Sequence, residues 1–367
     1  MEKTEKILKP IRFVSKDGMD FSSTLNKRVR SYFKDNNISK YANTNMVIKT
    51  IFMTLLYLIP LGFILSGQLE NIWIILGMFI IMGFGMAGCG LSIMHDANHG
   101  AYSKNENVNK WIGRIINLVG GYALNWKIQH NVLHHSYTNV HGYDEDITTV
   151  SFLRFSPDIK RRPIHKYQYL YAWFFYGLMT VMWMTTKDFQ QLKRYKDKDL
   201  LKSFNEKYNS NMFKLIGSKL FYYTLVIVLP IVILPISWYW VILFVFIMHY
   251  IAGFILGIVF QPAHVIPETN FVQPNEDLTV DNNFAIHQMQ TTANFAPKSR
   301  LFAWYVGGLN FQVEHHLFPN ICHIHYKKLS NIVKETAEEF NIPYLSHRTF
   351  AKALYSHGKM LKQLGRA

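Results

Sequence analysis

The chain has 367 residues, of which 49% are apolar or aromatic and only 17% charged, leaner in charge than an ordinary soluble domain. Its apolar residues are gathered in blocks, which excludes a single soluble globular unit. The formal net charge of +15 fits cations kept to one side of a membrane, or a basic surface for phosphate-bearing lipid or an acidic redox partner; nucleic acid is not an expected partner.

Residues 1–45 form a polar arm carrying Lys3, Lys6, Lys9, Arg12, Lys16, Lys27, Arg28, Arg30, Lys34 and Lys40. Its start is charged and lacks an apolar core, so it does not read as a secretory signal peptide. Two long apolar blocks follow. Residues 46–94 are broken by Gly67-Gln68-Leu69-Glu70-Asn71, and residues 212–260 are broken near Pro235-Ile236-Ser237. Each block suffices for two spans of about 20 residues, the length that crosses a hydrocarbon core. The predicted fold is an all-α integral membrane protein with four transmembrane helices in two hairpins. Neither hairpin tip holds Lys or Arg, so the arm, the insert 95–211 and the tail 261–367 are expected on the cytoplasmic side, forming a helical domain there. Within the insert, the stretch from Tyr167 to Met184 is rich in Trp, Tyr and Phe and suits an interfacial helix better than a fifth span. In the tail, Leu329, Ile332, Val333, Ala337 and Phe340 recur at helical spacing before Pro343, and Phe350, Ala353 and Leu354 begin a second such pattern. Cys89 and Cys322 are expected as free thiols.

Three histidine clusters fall on this map: HDANH with His95 and His99, HNVLHH with His130, His134 and His135, and QVEHH with Gln312, His315 and His316. The pairs His95/His99 and His130/His134 are spaced i,i+4, so on a helix both imidazoles share a face. The span topology, argued without them, puts all three clusters on one side of the membrane. Seven histidines exceed the three or four ligands of a zinc site and imply two metal ions. His165, His249, His347 and His357 read as ordinary surface or hydrogen-bonded histidines.

The order of the boxes, with Gly307-Gly308-Leu309-Asn310-Phe311 before the last and Leu317-Phe318-Pro319 after it, resembles the membrane fatty acid desaturase family. Gln312, where most of the family has a histidine, resembles the front-end subgroup, which adds a double bond between an existing one and the carboxyl end. The resemblance implies two iron ions, O2 as co-substrate, and a fatty acyl-CoA or membrane lipid as substrate. It carries ligand roles onto His95, His99, His130, His134, His135, His315 and His316. An eighth ligand is expected after the fourth span, at His264 in Gln261-Pro262-Ala263-His264, with His287 as competitor. Gln312 could ligate, hold a metal-bound water or orient His315. Eukaryotic front-end enzymes usually carry a fused cytochrome b5 domain with a His-Pro-Gly-Gly motif, which does not occur here. A separate donor of ferredoxin or cytochrome b5 type is therefore expected, with Lys187 to Lys198 as a basic docking stretch.

An unactivated methylene has no acidic proton, so side-chain acids and bases cannot break its C–H bond, and a metal-generated oxidant is needed. Asp96, Asp144, Glu145 and Asp146 are available to orient the imidazoles. Trp126, Trp304 and Tyr305, close to boxes in sequence, are candidate walls of an acyl tunnel. A histidine-box hydroxylase or ketolase is the nearest alternative, since it differs only in the fate of the carbon radical. A zinc peptidase would leave two boxes without a purpose. A non-enzymatic haem or metal carrier would place single histidines mid-span, where only His249 lies.

Overall fold

Among the described residues of the computed structural model, four helices are long and apolar enough to cross a membrane: Thr44–Leu65, Ile72–Asn98, Tyr208–Ile233 and Trp238–His264. The structure describes residues 8–15, 17–148 and 150–367, so Lys3, Lys6 and Lys16 of the basic arm lie outside the described residues. Asparagines start the first two helices. Asn43 accepts from the Met46 amide, and Asn71 from the amides of Trp73 and Ile74, satisfying donors that a helix start leaves open. The first helix exposes Ile48, Ile51, Phe52, Leu55 and Ile59 to the surrounding lipid and turns Met53, Tyr57 and Ile64 inward. Small residues let the spans approach closely: a Cβ at Gly85 would lie 2.7 Å from the Tyr57 nitrogen, and one at Gly83 2.8 Å from the Met248 carbonyl.

The helices outrun the apolar blocks. The second span continues to Asn98 and the fourth to His264, so each ends on a histidine-bearing turn. Cys89–Ile93 within the second span and Ile128–His134 in the insert are π-helical, with i→i+5 bonds such as the His135 amide to the His130 carbonyl at 2.9 Å. Such turns are uncommon and cluster at functional sites. In the second box the wider turn brings His135 round toward the side from which His130 and His134 project.

The aromatic stretch of the insert forms Gln168–Gly177 and Met179–Met182, which pack along the fourth span and are not among the four crossing helices. Lys219, 2% exposed within the third span, donates to the carbonyls of Gly120 and Trp183 and to Asp188 Oδ2 at 2.5 Å, and Asn125 donates to Asp188 as well. This buried pair ties the third span to the segment leading into the second box. His249 bonds Tyr222 at 2.6 Å, and His357 bonds Tyr176 and the Val265 carbonyl, so both are satisfied core groups. The tail helices run Tyr326–Glu339 and Phe350–Leu364, and both cysteines are free and buried. Of two short parallel pairs, Arg12–Phe13 with Thr279–Val280 joins the arm to the tail and Asn294–Phe295 with Ser346–His347 joins two parts of the tail.

Candidate metal centre

Four segments deliver the histidines to one chamber. His95 and His99 leave the second span, His130, His134 and His135 lie on and just after the π-helical turn, His264 ends the fourth span, and His315 and His316 lie on the short helix Gln312–Leu317. Two adjacent glycines set that last helix. Gly307 and Gly308 have φ of 64° and 67°, and a Cβ on Gly307 would come within 2.5 Å of the Leu91 carbonyl and Ser92. The third box is thereby pressed against the helix of the first.

Ligand-capable atoms of His95, His99, His130 and His315 lie within 4.8 Å of one another, as do those of His134, His264 and His316, and those of His135, His315 and His316. All but His99 are at most 5% exposed. Successive Nε2 atoms are separated by 3.0 Å for His95 and His130, 3.2 Å for His130 and His135, and 2.9 Å for His135 and His315. A ring nitrogen offers one proton or one lone pair, so the nitrogens of His130 and His135, each facing two others, cannot all be satisfied by hydrogen bonds. The Nε2 atoms of His99, His264 and His316 have no partner at all among the described residues. Two nitrogens bound to one ion at about 2.1 Å lie about 3.0 Å apart at a right angle, so this spacing suits a shared cation. Burial and mutual repulsion hold His99, His130, His135, His315 and His316 well below the ordinary imidazole range, so they are neutral with lone pairs free at pH 7.

Outward-facing nitrogens are held from behind. His134 Nδ1 is 3.1 Å from both oxygens of Asp144 and 3.5 Å from Asp146. Burial alone would depress His134, but these carboxylates outweigh it and hold the ring up at about 9. His264 Nδ1 donates to the Thr291 carbonyl at 3.1 Å, His316 Nδ1 to Gln288 Oε1 at 2.9 Å, and His315 Nδ1 is 3.2 Å from the Tyr326 hydroxyl. With Nδ1 so engaged, Nε2 is the atom left facing inward. Gln288, Thr291 and Tyr326 carry no sequence signal of this duty.

The other expected residues divide. Trp126 packs on the rings of His130, His95 and His99 at 4.5, 5.4 and 5.7 Å, and Phe260, which the sequence did not single out, faces His95 and His130. Trp304 and Tyr305 are not brought to the histidines: Trp304 meets Asn45 and Phe52, and Tyr305 donates to the Phe84 carbonyl. Asp96 orients no box imidazole; it accepts from His323 Nδ1 at 2.8 Å, whose Nε2 lies 2.6 Å from Lys49. That ammonium makes the Asp96, Cys322 and His323 group an ion-pair network rather than a second cation site. Glu145 pairs with Arg194 at 2.7 Å. His287 donates to the Thr138 carbonyl and joins none of the histidine groups. Gln312 is buried on the helix of His315 and His316, its Nε2 without a partner among the described residues.

Comparison with known proteins bears on this chamber. A family model described as fatty acid desaturase matches residues 71–348. The chain is 35% identical over 349 residues to an sn-1 linoleoyl-lipid 6-desaturase of Arthrospira platensis, covering 94% of this chain and 92% of that protein. An enzyme of the same description from Synechocystis is 34% identical, with 97% and 98% covered. An acyl-lipid (8-3)-desaturase of Physcomitrium patens is 33% identical over 97% of this chain and 74% of its own length.

Proposed function

Because the chain belongs to the fatty acid desaturase family, and is a membrane oxidoreductase that desaturates fatty acyl chains, we propose that it is a front-end enzyme working through two iron ions. The observation that carries this reading is the convergence of eight imidazoles whose inward nitrogens cannot satisfy one another. His95, His99 and His130 would hold one ion and His134, His264 and His316 the other, with His135 and His315 between the two groups and Gln312 beside His315. When bound, the pair supplies the chemistry that an unactivated CH2–CH2 unit requires: with O2, two electrons and two protons it yields CH=CH and two water molecules.

The chain's own residues do the rest. Asp144, Gln288, Thr291 and Tyr326 fix ring orientation, so the ligands need not reorganise during turnover. Trp126 and Phe260 wall the chamber with apolar surface, excluding water and offering a face along which a methylene chain can lie. The front-end assignment is supported by Gln312 and by the descriptions of the relatives, an sn-1 linoleoyl-lipid 6-desaturase and an acyl-lipid (8-3)-desaturase. Electrons would come from a separate acidic carrier of ferredoxin or cytochrome b5 type, meeting the basic face of Asp188–Asp197. There Arg194 clamps Glu145, the neighbour of the Asp144 that holds His134. The histidines would face the cytoplasm across a bacterial inner membrane.

Expression in a host lacking polyunsaturated lipids, fed linoleate or α-linolenate, tests the reading by gas chromatography and mass spectrometry of total lipids. A new carboxyl-side double bond that is absent with His315→Ala supports it. Hydroxylated products would move the assignment to a hydroxylase. Metal analysis and Mössbauer spectroscopy of the purified protein read the identity and number of the ions independently of product.

A further inference from the structure

The second box is braced from outside by one face of one helix. Asp188–Asp197 turns Asp188, Gln191 and the pair Arg194 and Tyr195 toward it, at i, i+3 and i+6 or i+7, the spacing of a single helical face. Each contact lands on a residue flanking the box. Asn125 donates to the Asp188 carbonyl at 2.7 Å, Gln191 Nε2 to Gln129 Oε1 at 2.6 Å, and Arg194 and Tyr195 to Glu145 at 2.7 and 2.9 Å.

Only the middle contact continues, among the described residues, to a ring of the chamber. Gln129 stands in the π-helical turn Ile128–His134, and its Nε2 donates to Asp146 Oδ1 at 2.5 Å. The other oxygen of that carboxylate lies 3.5 Å from His134 Nδ1.

The order of this relay follows from what each group offers. A glutamine presents one acceptor oxygen and one donor NH2, whereas a carboxylate only accepts. Asp146 therefore takes the NH2 of Gln129, and the Gln129 oxygen is left facing away, where a donor must meet it. Gln191, 2% exposed, is that donor, and its Nε2 also faces Glu145 Oε2 at 3.5 Å. A glutamine that only filled space here would bury its amide at a cost that an apolar side chain of the same length avoids. Without the Gln191 donor, nothing opposes a half-turn of the Gln129 amide, which would set oxygen against carboxylate and push Asp146 off the ring.

Resting on the two-ion reading above, we infer that Gln191 and Gln129 are positioning residues for His134: they hold Asp146 behind its Nδ1, and so steady the ion shared by His134, His264 and His316. Neither glutamine lies among the ligand groups. Their effect passes through Asp146, so it falls on that ion and spares the one beside His95, His99 and His130.

The test loads the full-length protein in detergent with isotopically enriched Fe(II) without oxygen, follows release to a chelator, and identifies each ion by its Mössbauer signal. His264 belongs to only one group, so the signal lost in His264→Ala marks the ion in question. Gln129 is half-buried, and Gln129→Met keeps its length while deleting the amide. This variant should release the marked ion about 3–10-fold faster, short of the 10–100-fold typical of a group bonded to the ligand itself, and should move the quadrupole splitting of that ion alone. Gln191→Met should reproduce the effect, and the double variant should match either single one, because links in series fail once. Release of the marked ion as in wild type overturns the proposal. Equal acceleration of both ions, or a double variant whose effects add, overturns it as well, since the amides would then only support the fold. If Gln191→Met does not fold, Gln129→Met decides by the same rate and spectrum. A wild type that loads a single ion sinks the two-ion reading, and the relay then stands only if Gln129→Met still speeds release of that ion.

Discussion

The two halves of the histidine chamber are held by different forces. On the side of His134, His264 and His316, each ring has an oxygen behind it, from Asp144, Thr291 and Gln288. On the side of His95, His99 and His130, the Nε2 atoms of His95 and His130 face only other histidine nitrogens among the described residues, His99 Nε2 has no partner there, and orientation comes from the faces of Trp126 and Phe260. A hydrogen bond fixes tautomer and basicity as well as angle, whereas packing fixes angle alone. One half should therefore respond to the loss of a charge, the other to the loss of volume.

The largest effect is expected where the halves meet. His315 belongs to both the His95 group and the His135 and His316 group, so His315→Ala should remove both ions and leave no measurable desaturation. Metal analysis showing one ion retained would mean that the halves load independently and that His315 serves only one. Trp126→Ala comes next. Truncating a buried tryptophan costs about 3–5 kcal/mol, and Trp126 is buried between the histidines and the core of the spans. Thermal unfolding should show the loss, and metal content should fall toward one ion, kept by the half that hydrogen bonds hold. Equal loss from both halves would erase the contrast.

Glu314 tests the helix shared by the two halves. It is fully buried with only the neutral donors Asn294 and Tyr344 beside it, and burial pushes its carboxyl up to about 7. A carboxyl raised in the folded state stabilises below its unfolded value near 4.5, and that contribution is lost as pH rises through about 7. Chelator-treated Glu314→Gln should therefore be the more stable protein at pH 8, by about 3 kcal/mol at most, with the difference vanishing near pH 4. Chemical denaturation at the two pH values checks the sign. A variant less stable at pH 8 would mean that the ionised carboxylate, rather than the neutral acid, is what anchors the third box.

The sequence disclosed these halves unequally. The i,i+4 pairs announced themselves because period and chemistry coincide at His95/His99 and His130/His134, and the apolar blocks announced the spans because lipid demands about 20 residues whatever the packing. Gln288, Thr291 and Tyr326 were silent because each acts across space on a ring from another element; Gln288 is 28 positions from His316. Asp96 misled by adjacency. One step along a helix turns about 100°, so the neighbour of a ligand points away from it, in this case toward His323. Trp304 and Tyr305 lie apart from the box they precede, since the left-handed turn at Gly307 and Gly308 leaves them packed on the first two spans. His264 was legible through family resemblance and not through spacing, because its partners arrive from the second and third boxes.

The smallest expected effect is also the cleanest measure of the contrast. Asp144→Asn keeps the size of the side chain behind His134 and removes its charge. Loss of such an orienting group typically costs about 10–100-fold in metal affinity. The carboxylate also accepts from the amides of Asn139 and Asp146, bonds that an asparagine oxygen can keep only in part. Competition with a chelator should therefore show one ion leaving 10–100-fold more readily, while the other, among His95, His99, His130 and His315, is released as in wild type. The same variant should lower the His134 ring from about 9, since the Asp144 charge is the first of the forces opposing its burial. Metal uptake at that half should then persist to lower pH relative to its own maximum, because less of the ring carries the competing proton. If both ions weaken together, Asp144 supports the chamber as a whole, and the division between a hydrogen-bonded and a packed half is one of geometry without energetic consequence.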